Sequence, residues 1–252
     1  MLAANKKLIT KVIKDLNGLS FKNSKGYNKK DIEFFAERYY KILNLLPDIK
    51  KDSTCLEIGL AGGEMAFILK KFLELKKLYT LEHPNACRLY KTSFGKKLKE
   101  NNIVLTPVDL RNGKLPWKDN YFDFVMLSEV LEHLIPSDAP VVLKEIKRVL
   151  KKGGYLVITT PNVASLLKRI NLVRGKNPVE FDLRVHEKGT FGHIREYTMY
   201  ELERMADEQG FKADKKDFYM IDTNRNMFTH IEDISSKFYP PFANNLFLVL
   251  RK

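Results

Sequence analysis

The sequence has little cysteine and no long apolar run. Its 252 residues include only two cysteines, Cys55 and Cys87. Two cysteines cannot form a zinc cluster by themselves, and Cys55 falls in a predicted buried strand, so we expect reduced, structural thiols. No run of about eighteen apolar residues occurs, and residues 1–14 lack the apolar stretch of a signal peptide. These absences predict a cytoplasmic protein without a transmembrane segment.

Acidic residues are outnumbered by basic ones, which gives the chain a formal charge of +13. Such an excess favours nucleic acid, anionic lipid or phosphorylated molecules as partners. Lysine is spread along the chain, however, and no arginine cluster with interleaved aromatic residues occurs. This spread favours a solvated lysine-rich surface, so the charge leaves RNA open as a partner without selecting it. The oligomeric state cannot be predicted.

The composition, with 44% hydrophobic and 30% charged residues, is typical of one soluble globular domain. Residues 1–50 are predicted to be a helical extension, because apolar residues recur at helical spacing until Pro47. Residues 51–252 are predicted to form the main domain. The predicted strands are 54–58, 77–82, 103–108, 122–127, 154–160, 213–221 and 244–250. The predicted helices of this domain are 63–75, 84–99, 129–133, 138–150 and 198–209.

Strands that alternate with helical crossovers predict an α/β fold with a seven-stranded, mainly parallel sheet and helices on both faces. The last strand follows its predecessor after a connection without a clear helical period, so we expect it to be antiparallel. The segment 162–197 interrupts the alternation at the carboxyl end of a strand. Insertions there line substrate sites in α/β enzymes, and we interpret this one as substrate-side, with a surface excursion as the alternative.

A glycine-rich turn follows the first predicted strand. Small residues at Gly59, Ala61 and Gly63 allow the backbone to turn sharply and to approach a ligand closely. Dinucleotide folds use such a turn too, but they place Gly or Ala at the sixth position, where this sequence has Glu64. The turn therefore disfavours NAD as the ligand.

Acidic residues end the first three predicted strands. Glu57 precedes the turn, Glu82 ends the second strand and Asp109 ends the third. A carboxylate at Glu82 can accept hydrogen bonds from both ribose hydroxyls, and one at Asp109 can accept from an adenine amino group. Three acids in register along one sheet edge predict a nucleoside-containing ligand. His83, which directly follows Glu82, is either an adenosine contact or a helix-start residue.

The order of these motifs is similar to that of the class I S-adenosylmethionine-dependent methyltransferases, which have a Rossmann-like fold. The closest resemblance is to the branch of ubiquinone-type and polysaccharide-associated O-methyltransferases, and it covers about residues 50–252. The motifs that carry it are Glu57-x-Gly59-x-Ala61-x-Gly63, Glu82, Asp109, Leu115-Pro116-Trp117, Phe122-Asp123, Ser128-Glu129-Val130-Leu131-Glu132-His133-Leu134 and Arg148-Val149-Leu150-Lys151-Lys152-Gly153-Gly154.

This resemblance implies a place for S-adenosylmethionine. The turn would surround the methionine part, Glu82 would bind ribose and Asp109 would bind adenine. Ala61 departs from the family, which usually has glycine there, and we expect tighter packing rather than lost binding. The cofactor-binding residues that we expect are Glu57, Gly59, Ala61, Gly63, Glu82, His83, Asp109, Leu110 and Ser128.

The transferred methyl group should point toward the segment after the fourth strand. Methyl transfer is an in-line displacement, so the protein supplies alignment, dehydration and a base for a hydroxyl acceptor. If Ser128 caps a helix there, Glu129 shares a face with Glu132 and His133. His133 is the preferred base, and the predicted catalytic residues are His133, Glu129 and His193.

The same segment suggests a metal site. The candidate ligands are Glu129, Glu132, His133 and His193, a set that resembles the one in small-RNA 2′-O-methyltransferases. A divalent ion would chelate vicinal hydroxyls and lower the pKa of the attacking one. Acids in a first helical turn are also favoured by the helix dipole alone, so a metal stays open.

Three functions remain open. The first is O-methylation of a small-molecule, glycan or lipid hydroxyl, which the family branch and the 162–197 insertion favour. The second is RNA ribose 2′-O-methylation, which the charge and the candidate metal set favour. The third is a non-catalytic accessory protein that binds S-adenosylmethionine. The intact Gly59, Glu82 and Asp109 argue against loss of cofactor binding.

Overall fold

A single seven-stranded sheet organises the protein. The computed structural model describes residues 5–19, 25–179, 192–221 and 226–252. The strand order is β3-β2-β1-β4-β5-β7-β6, and β7 is antiparallel to both neighbours, whereas the other pairings are parallel. The predicted mainly parallel sheet with an antiparallel last strand is confirmed. The strands are β1 Cys55–Ile58, β2 Leu78–Glu82, β3 Ile103–Pro107, β4 Phe122–Ser128, β5 Leu150–Pro161, β6 Lys212–Tyr219 and β7 Asn245–Arg251.

The burial of each strand follows from its position in the sheet. All four residues of β1 are buried, and in β7 only the last residue is exposed, because both strands lie inside the sheet with covered faces. Strand β6 begins with five exposed residues, three of them lysines, and it forms one edge of the sheet. Lysines on an edge strand oppose pairing with another chain.

Helices cover both faces of the sheet. They are α1 Lys6–Leu16, α2 Lys29–Leu45, α3 Glu64–Phe72, α4 Pro84–Cys87, α5 Thr92–Glu100, α6 Asp138–Val149, α7 Leu166–Val173, α8 Met199–Glu208 and α9 Met227–Phe238. In the described ranges, no helix is both long enough and apolar enough to cross a bilayer. The prediction of one helix over 84–99 is wrong, because the structure has two separate helices there, α4 and α5. Helices α7 and α9 were not predicted.

The two amino-terminal helices pack into the same core as the sheet. Asn5 and Asn28 cap α1 and α2, and Asn28 forms a capping box with Asp31. Ile9 and Ile42 are fully buried in one cluster with Phe247 of β7. The division of the chain at residue 50 stays a prediction. Residues 1–4 and 20–24 of the predicted extension lie outside the described part, as do residues 180–191 of the predicted insertion.

Arg148 fastens the loop between β3 and β4 to helix α6. Its guanidinium donates to the backbone oxygens of Leu115 and Trp117 at 2.9 and 2.8 Å. It also pairs with Glu145 and Asp119 at 2.8 Å. The Trp117 ring packs edge-to-face against other aromatic rings of the sheet, so its surroundings are those of a structural anchor.

Candidate cofactor and acceptor site

The turn after β1 depends on two glycines in the left-handed region. Gly59 and Gly63 both have φ of 88°. A Cβ added at Gly59 would lie 2.7 Å from Val130 Cγ2, and one at Gly63 would lie 2.7 Å from Phe94 Cζ. Both positions therefore require glycine, for their backbone angles and for the close approach. Ala61 also has a positive φ, of 45°, which an alanine adopts only with strain.

Glu82 holds this turn in place from the end of β2. Its Oε2 accepts a hydrogen bond from the Ala61 backbone N–H at 2.8 Å, and its Oε1 accepts from the His83 N–H at 2.8 Å. The N–H groups of Gly59 and Leu60 both donate to the Leu81 carbonyl. The carboxylate at the end of β2 thus lies directly beside the glycine-rich turn, where the sequence placed it.

Glu57 lies beneath the turn and is only 2% exposed. Burial raises the pKa of its carboxyl to about 8, against an opposing hydrogen bond that the Thr80 hydroxyl donates. The nearby Glu82 and Glu64 carboxylates raise this pKa further. A neutral Glu57 would become ionised if a cation approached, because an opposite charge favours the carboxylate.

Asp109 lies at the end of β3 and is already engaged by a neighbouring side chain. Arg111 binds its carboxylate through Nε at 2.9 Å and Nη2 at 2.7 Å, and this interaction lowers the pKa of Asp109 to about 2. His83 Nε2 lies 3.4 Å from the same carboxylate. Leu110 follows in a short 3-10 turn. The structure therefore brings the predicted nucleoside-side residues together.

The segment after β4 is not the helix that the sequence predicted. Ser128 ends the strand and its hydroxyl lies 2.8 Å from the Thr159 hydroxyl, so it does not cap a helix. Glu129 follows with φ of 54°, in the left-handed region. Only residues 131–133 then form a 3-10 turn. Glu129 therefore does not share a helical face with Glu132 and His133.

Glu129 is instead fixed by Thr159 and Arg38. The Thr159 hydroxyl donates to Glu129 Oε1 at 2.9 Å, and Arg38 Nη2 of helix α2 lies 2.6 Å from the same oxygen. Both charged side chains are largely buried, at 14% and 21% exposure. No sequence signal pointed to Arg38, because it comes from an amino-terminal helix that lies far from residue 129 in the chain.

Three of the four candidate metal ligands lie together. Glu132, His133 and His193 each offer one ligand atom, and these atoms lie within 4.8 Å of one another. Glu132 is fully buried, which raises the pKa of its carboxyl, and its Oε2 accepts from the Thr160 hydroxyl at 2.9 Å. His133 Nδ1 lies 3.1 Å from the Gly192 carbonyl. Because a carbonyl only accepts, the neutral ring carries its proton on Nδ1.

His193 is paired with a carboxylate that the sequence analysis missed. Its Nδ1 lies 3.1 Å from Glu196 Oε1, and this hydrogen bond is the main cause of its raised pKa. Lys168 of helix α7 binds the other oxygen of Glu196. A carboxylate that accepts from Nδ1 orients an imidazole and makes its Nε2 more basic. Only the three-residue spacing from His193 could have indicated Glu196.

Buried polar side chains are concentrated around Glu132. Within the described ranges, Glu132 Oε1 and the Tyr197 hydroxyl are buried without a hydrogen-bond partner, whereas Arg38 is paired with Glu129. Arg38, Tyr197 and Tyr219 each interact electrostatically with Glu132 or with one another. Buried polar atoms are rarely left unpaired. Such a concentration is typical of a place where a polar ligand binds.

Comparisons with known proteins agree with this geometry. The methyltransferase-domain family matches residues 28–216, most of the chain, so the chain belongs to this family. A crystal structure of a protein from Pyrococcus horikoshii has a TM-score of 0.60 at 17% identity and covers 93% of this chain and 94% of its own. A SAM-dependent methyltransferase from Archaeoglobus fulgidus has a TM-score of 0.57 at 19% identity, with coverage of 86% and 93%.

Sequence relatives point the same way. An uncharacterized protein of Methanocaldococcus jannaschii is 32% identical over 146 residues, 57% of each chain. The ubiquinone/menaquinone biosynthesis C-methyltransferase UbiE of Neisseria meningitidis is 32% identical over 111 residues, 44% of this chain and 43% of its own. The chain thus spans about half the length of the curated relatives it matches. The predicted class, a SAM-dependent methyltransferase with a Rossmann-like fold, is confirmed at the level of family and fold.

Proposed function

We propose that this protein transfers a methyl group from S-adenosylmethionine to a hydroxyl oxygen of a small-molecule, glycan or lipid acceptor. The observation that carries the proposal is the position of two sites at one sheet edge. The glycine-rich turn with Glu82 lies at the ends of β1 and β2, and the polar cluster around Glu132 lies beyond β4. S-adenosylmethionine, when bound, supplies an electrophilic methyl group.

The residues at the turn fit this cofactor. Gly59 and Gly63 carry the backbone through a sharp turn at φ of 88°, and such a glycine-rich turn before a helix lets a ligand approach the backbone closely. In our proposal Glu82 accepts hydrogen bonds from the ribose hydroxyls and Asp109 accepts from the adenine amino group, with His83 and Leu110 beside it. Glu57, Gly59, Ala61, Gly63 and Ser128 enclose the methionine part. Arg111 must release part of the Asp109 carboxylate for adenine to bind.

The acceptor proton would be taken by an imidazole. His193 is better suited than His133 to act as this base, because Glu196 accepts a hydrogen bond from its Nδ1 and raises its pKa. His133, the preferred base from the sequence, faces a carbonyl rather than a carboxylate through Nδ1. We therefore propose His193 as the base and His133 as a group that positions the hydroxyl. Glu129, held by Arg38, lies in the same segment after β4.

A divalent metal at Glu132, His133 and His193 is the alternative to an imidazole base, because His193 Nε2 can bind an ion or take the acceptor proton, but not both. The fit rests on Glu132 Oε1, a fully buried oxygen that has no hydrogen-bond partner among the described residues. One carboxylate and two imidazoles suit zinc, manganese or iron. Glu129 is not included, because its carboxylate is occupied by Arg38 and Thr159. A bound ion would lower the pKa of a coordinated hydroxyl.

The cofactor assignment is tested by calorimetry on Glu82→Ala. Loss of a charge-assisted hydrogen bond of about 1.5–3 kcal/mol should weaken S-adenosylmethionine binding at least tenfold. The exposed Glu100→Ala serves as the matched control and should bind as the wild type does. Unchanged affinity of Glu82→Ala would refute the ribose placement.

The acceptor assignment is tested with labelled S-adenosylmethionine against quinols, sugar nucleotides, lipids and RNA. His193→Ala should lower turnover while leaving cofactor affinity intact, whereas equal losses in both would exclude it as the base. Labelled RNA bound with a steep salt dependence would favour the ribose 2′-O alternative. Because the Neisseria relative is named a C-methyltransferase, the product must be analysed for methyl on carbon as well as oxygen. Tight cofactor binding without any turnover would favour an accessory protein.

A further inference from the structure

Helix α9 has its polar and apolar sides reversed. Met227, Ile231, Ile234 and Phe238 recur at intervals of four, three and four residues, which places them on one side of the helix. All four are exposed, Phe238 to 86%. The residues that face inward are polar instead. Glu232 is 2% exposed and accepts a hydrogen bond from the Leu167 N–H at 2.9 Å.

Helix α7 extends this apolar surface. It packs against α9, and the Leu167–Glu232 hydrogen bond joins the two helices. Leu172 and Val173 at its end are 64% and 89% exposed. We call Leu172, Val173, Met227, Ile231, Ile234 and Phe238 together the apolar α7–α9 face. Large apolar side chains that are exposed on two packed helices mark an interaction site.

Basic residues border this face. Arg174 and Lys176 follow α7 directly, and both are exposed. Neither forms an ion pair within the described ranges. The acidic Asp233 on α9 is paired with Lys237 at 3.1 Å, which leaves a positive excess among the described residues of the border. Apolar side chains next to exposed cations are the pattern of a surface that lies on an anionic membrane.

We propose that the apolar α7–α9 face docks onto the surface of an anionic lipid bilayer. The charge of the chain decides between this partner and a second copy. Each copy carries +13, and a symmetric dimer through this face would bring the positive borders together. An anionic lipid surface instead attracts Arg174 and Lys176 while Phe238 and its neighbours enter the interface.

The face also lies close to the proposed acceptor site. Lys168 on α7 binds Glu196, and Glu196 in turn pairs with His193. One short chain of contacts thus connects the docking helix with the proposed base. A protein bound through α7 and α9 would hold this site near the lipid headgroups. This step rests on the proposed function, and among its acceptor classes it favours a lipid.

The test is sedimentation of the 252-residue chain with vesicles, without S-adenosylmethionine. One set contains only phosphatidylcholine and the other also contains about 30% phosphatidylglycerol, an anionic lipid. We expect binding to the anionic vesicles at least about tenfold stronger than to the neutral ones, and weaker at high salt. The double variant I231E/F238E should reduce that binding at least about tenfold.

Matched variants separate docking from folding. Tyr200→Glu changes an aromatic residue of similar exposure on helix α8, and it should bind vesicles as the wild type does. R174Q/K176Q should lose binding and salt dependence while leaving the apolar side chains in place. Circular dichroism and cofactor affinity report whether each variant is folded.

The outcomes are distinct. Vesicle binding by I231E/F238E equal to that of the wild type overturns the proposal, as does equal binding of the wild type to neutral and anionic vesicles. A dimer in light scattering that I231E/F238E converts to a monomer identifies the face as a contact between copies and also overturns it. Because no methyl transfer is measured, failure of the proposed chemistry leaves these results unchanged.

Discussion

Replacement of the buried Glu57 by glutamine should make the protein more stable at alkaline pH. Burial raises the pKa of Glu57 from an ordinary 4.5 to about 8. Between these two values the folded state binds more protons than the unfolded state, so stability falls as pH rises through this window. Glutamine keeps the shape and can still accept the Thr80 hydrogen bond, but it carries no charge at any pH.

The expected gain in stability follows from the size of the pKa shift of Glu57. One pKa unit corresponds to about 1.4 kcal/mol, so an ionised Glu57 costs up to about 5 kcal/mol above pH 8. About 1 kcal/mol of this cost is already present at pH 5. The free energy of unfolding of Glu57→Gln should therefore rise relative to the wild type by about 3–4 kcal/mol between pH 5 and pH 8.5.

Urea unfolding at a series of pH values measures this difference. Trp117 is the only tryptophan and packs against the rings of Tyr79 and Phe122, so its fluorescence reports unfolding. The other titrating groups are the same in the wild type and in Glu57→Gln, so their contributions cancel when the two free energies of unfolding are subtracted. The exposed Glu100→Gln should show no such divergence. Parallel curves for the wild type and Glu57→Gln would refute the assignment of a neutral, buried Glu57.

Three further predictions concern single residues elsewhere in the fold. Gly63→Ala should lower the melting temperature and weaken cofactor binding measured by calorimetry, because the added Cβ lies 2.7 Å from Phe94 at a positive φ. Gly95→Ala should raise the free energy of unfolding by about 0.5–1 kcal/mol, because the space at this helical glycine is open. Arg148→Met should cost about 2–3 kcal/mol in urea unfolding, because its charge-assisted hydrogen bonds to loop carbonyls are lost.

The sheet could be predicted because its sequence signal is local. Apolar runs separated by helical crossovers allow few topologies, and a glycine-rich turn followed by Glu82 and Asp109 fixes which strand ends meet. Helix α9 was missed for the opposite reason. Its inward residues, Thr229 and Glu232, are polar and its apolar stripe faces outward, so it does not show the usual core-facing pattern.

The acceptor side could be predicted only in part. Glu132, His133 and His193 were expected together and lie together. Glu129 was expected on the same helical face, but its left-handed backbone turns it toward Arg38. A non-glycine residue at positive φ costs about 1 kcal/mol or more and has no signature in the sequence. Long-range partners such as Arg38 and Tyr219 likewise become visible only in the folded chain.

The ion pair between Arg38 and Glu129 limits which amino-terminal helices can be joined to this domain. A chain shortened to residues 51–252 would retain every strand and the glycine-rich turn, yet it would leave the Glu129 carboxylate without its cation. Exchange of the amino-terminal helices between relatives is therefore not neutral, since Arg38 and Glu129 must be inherited together. A substitution that removes the charge of Arg38 or of Glu129 should be tolerated only with a compensating substitution at the other residue.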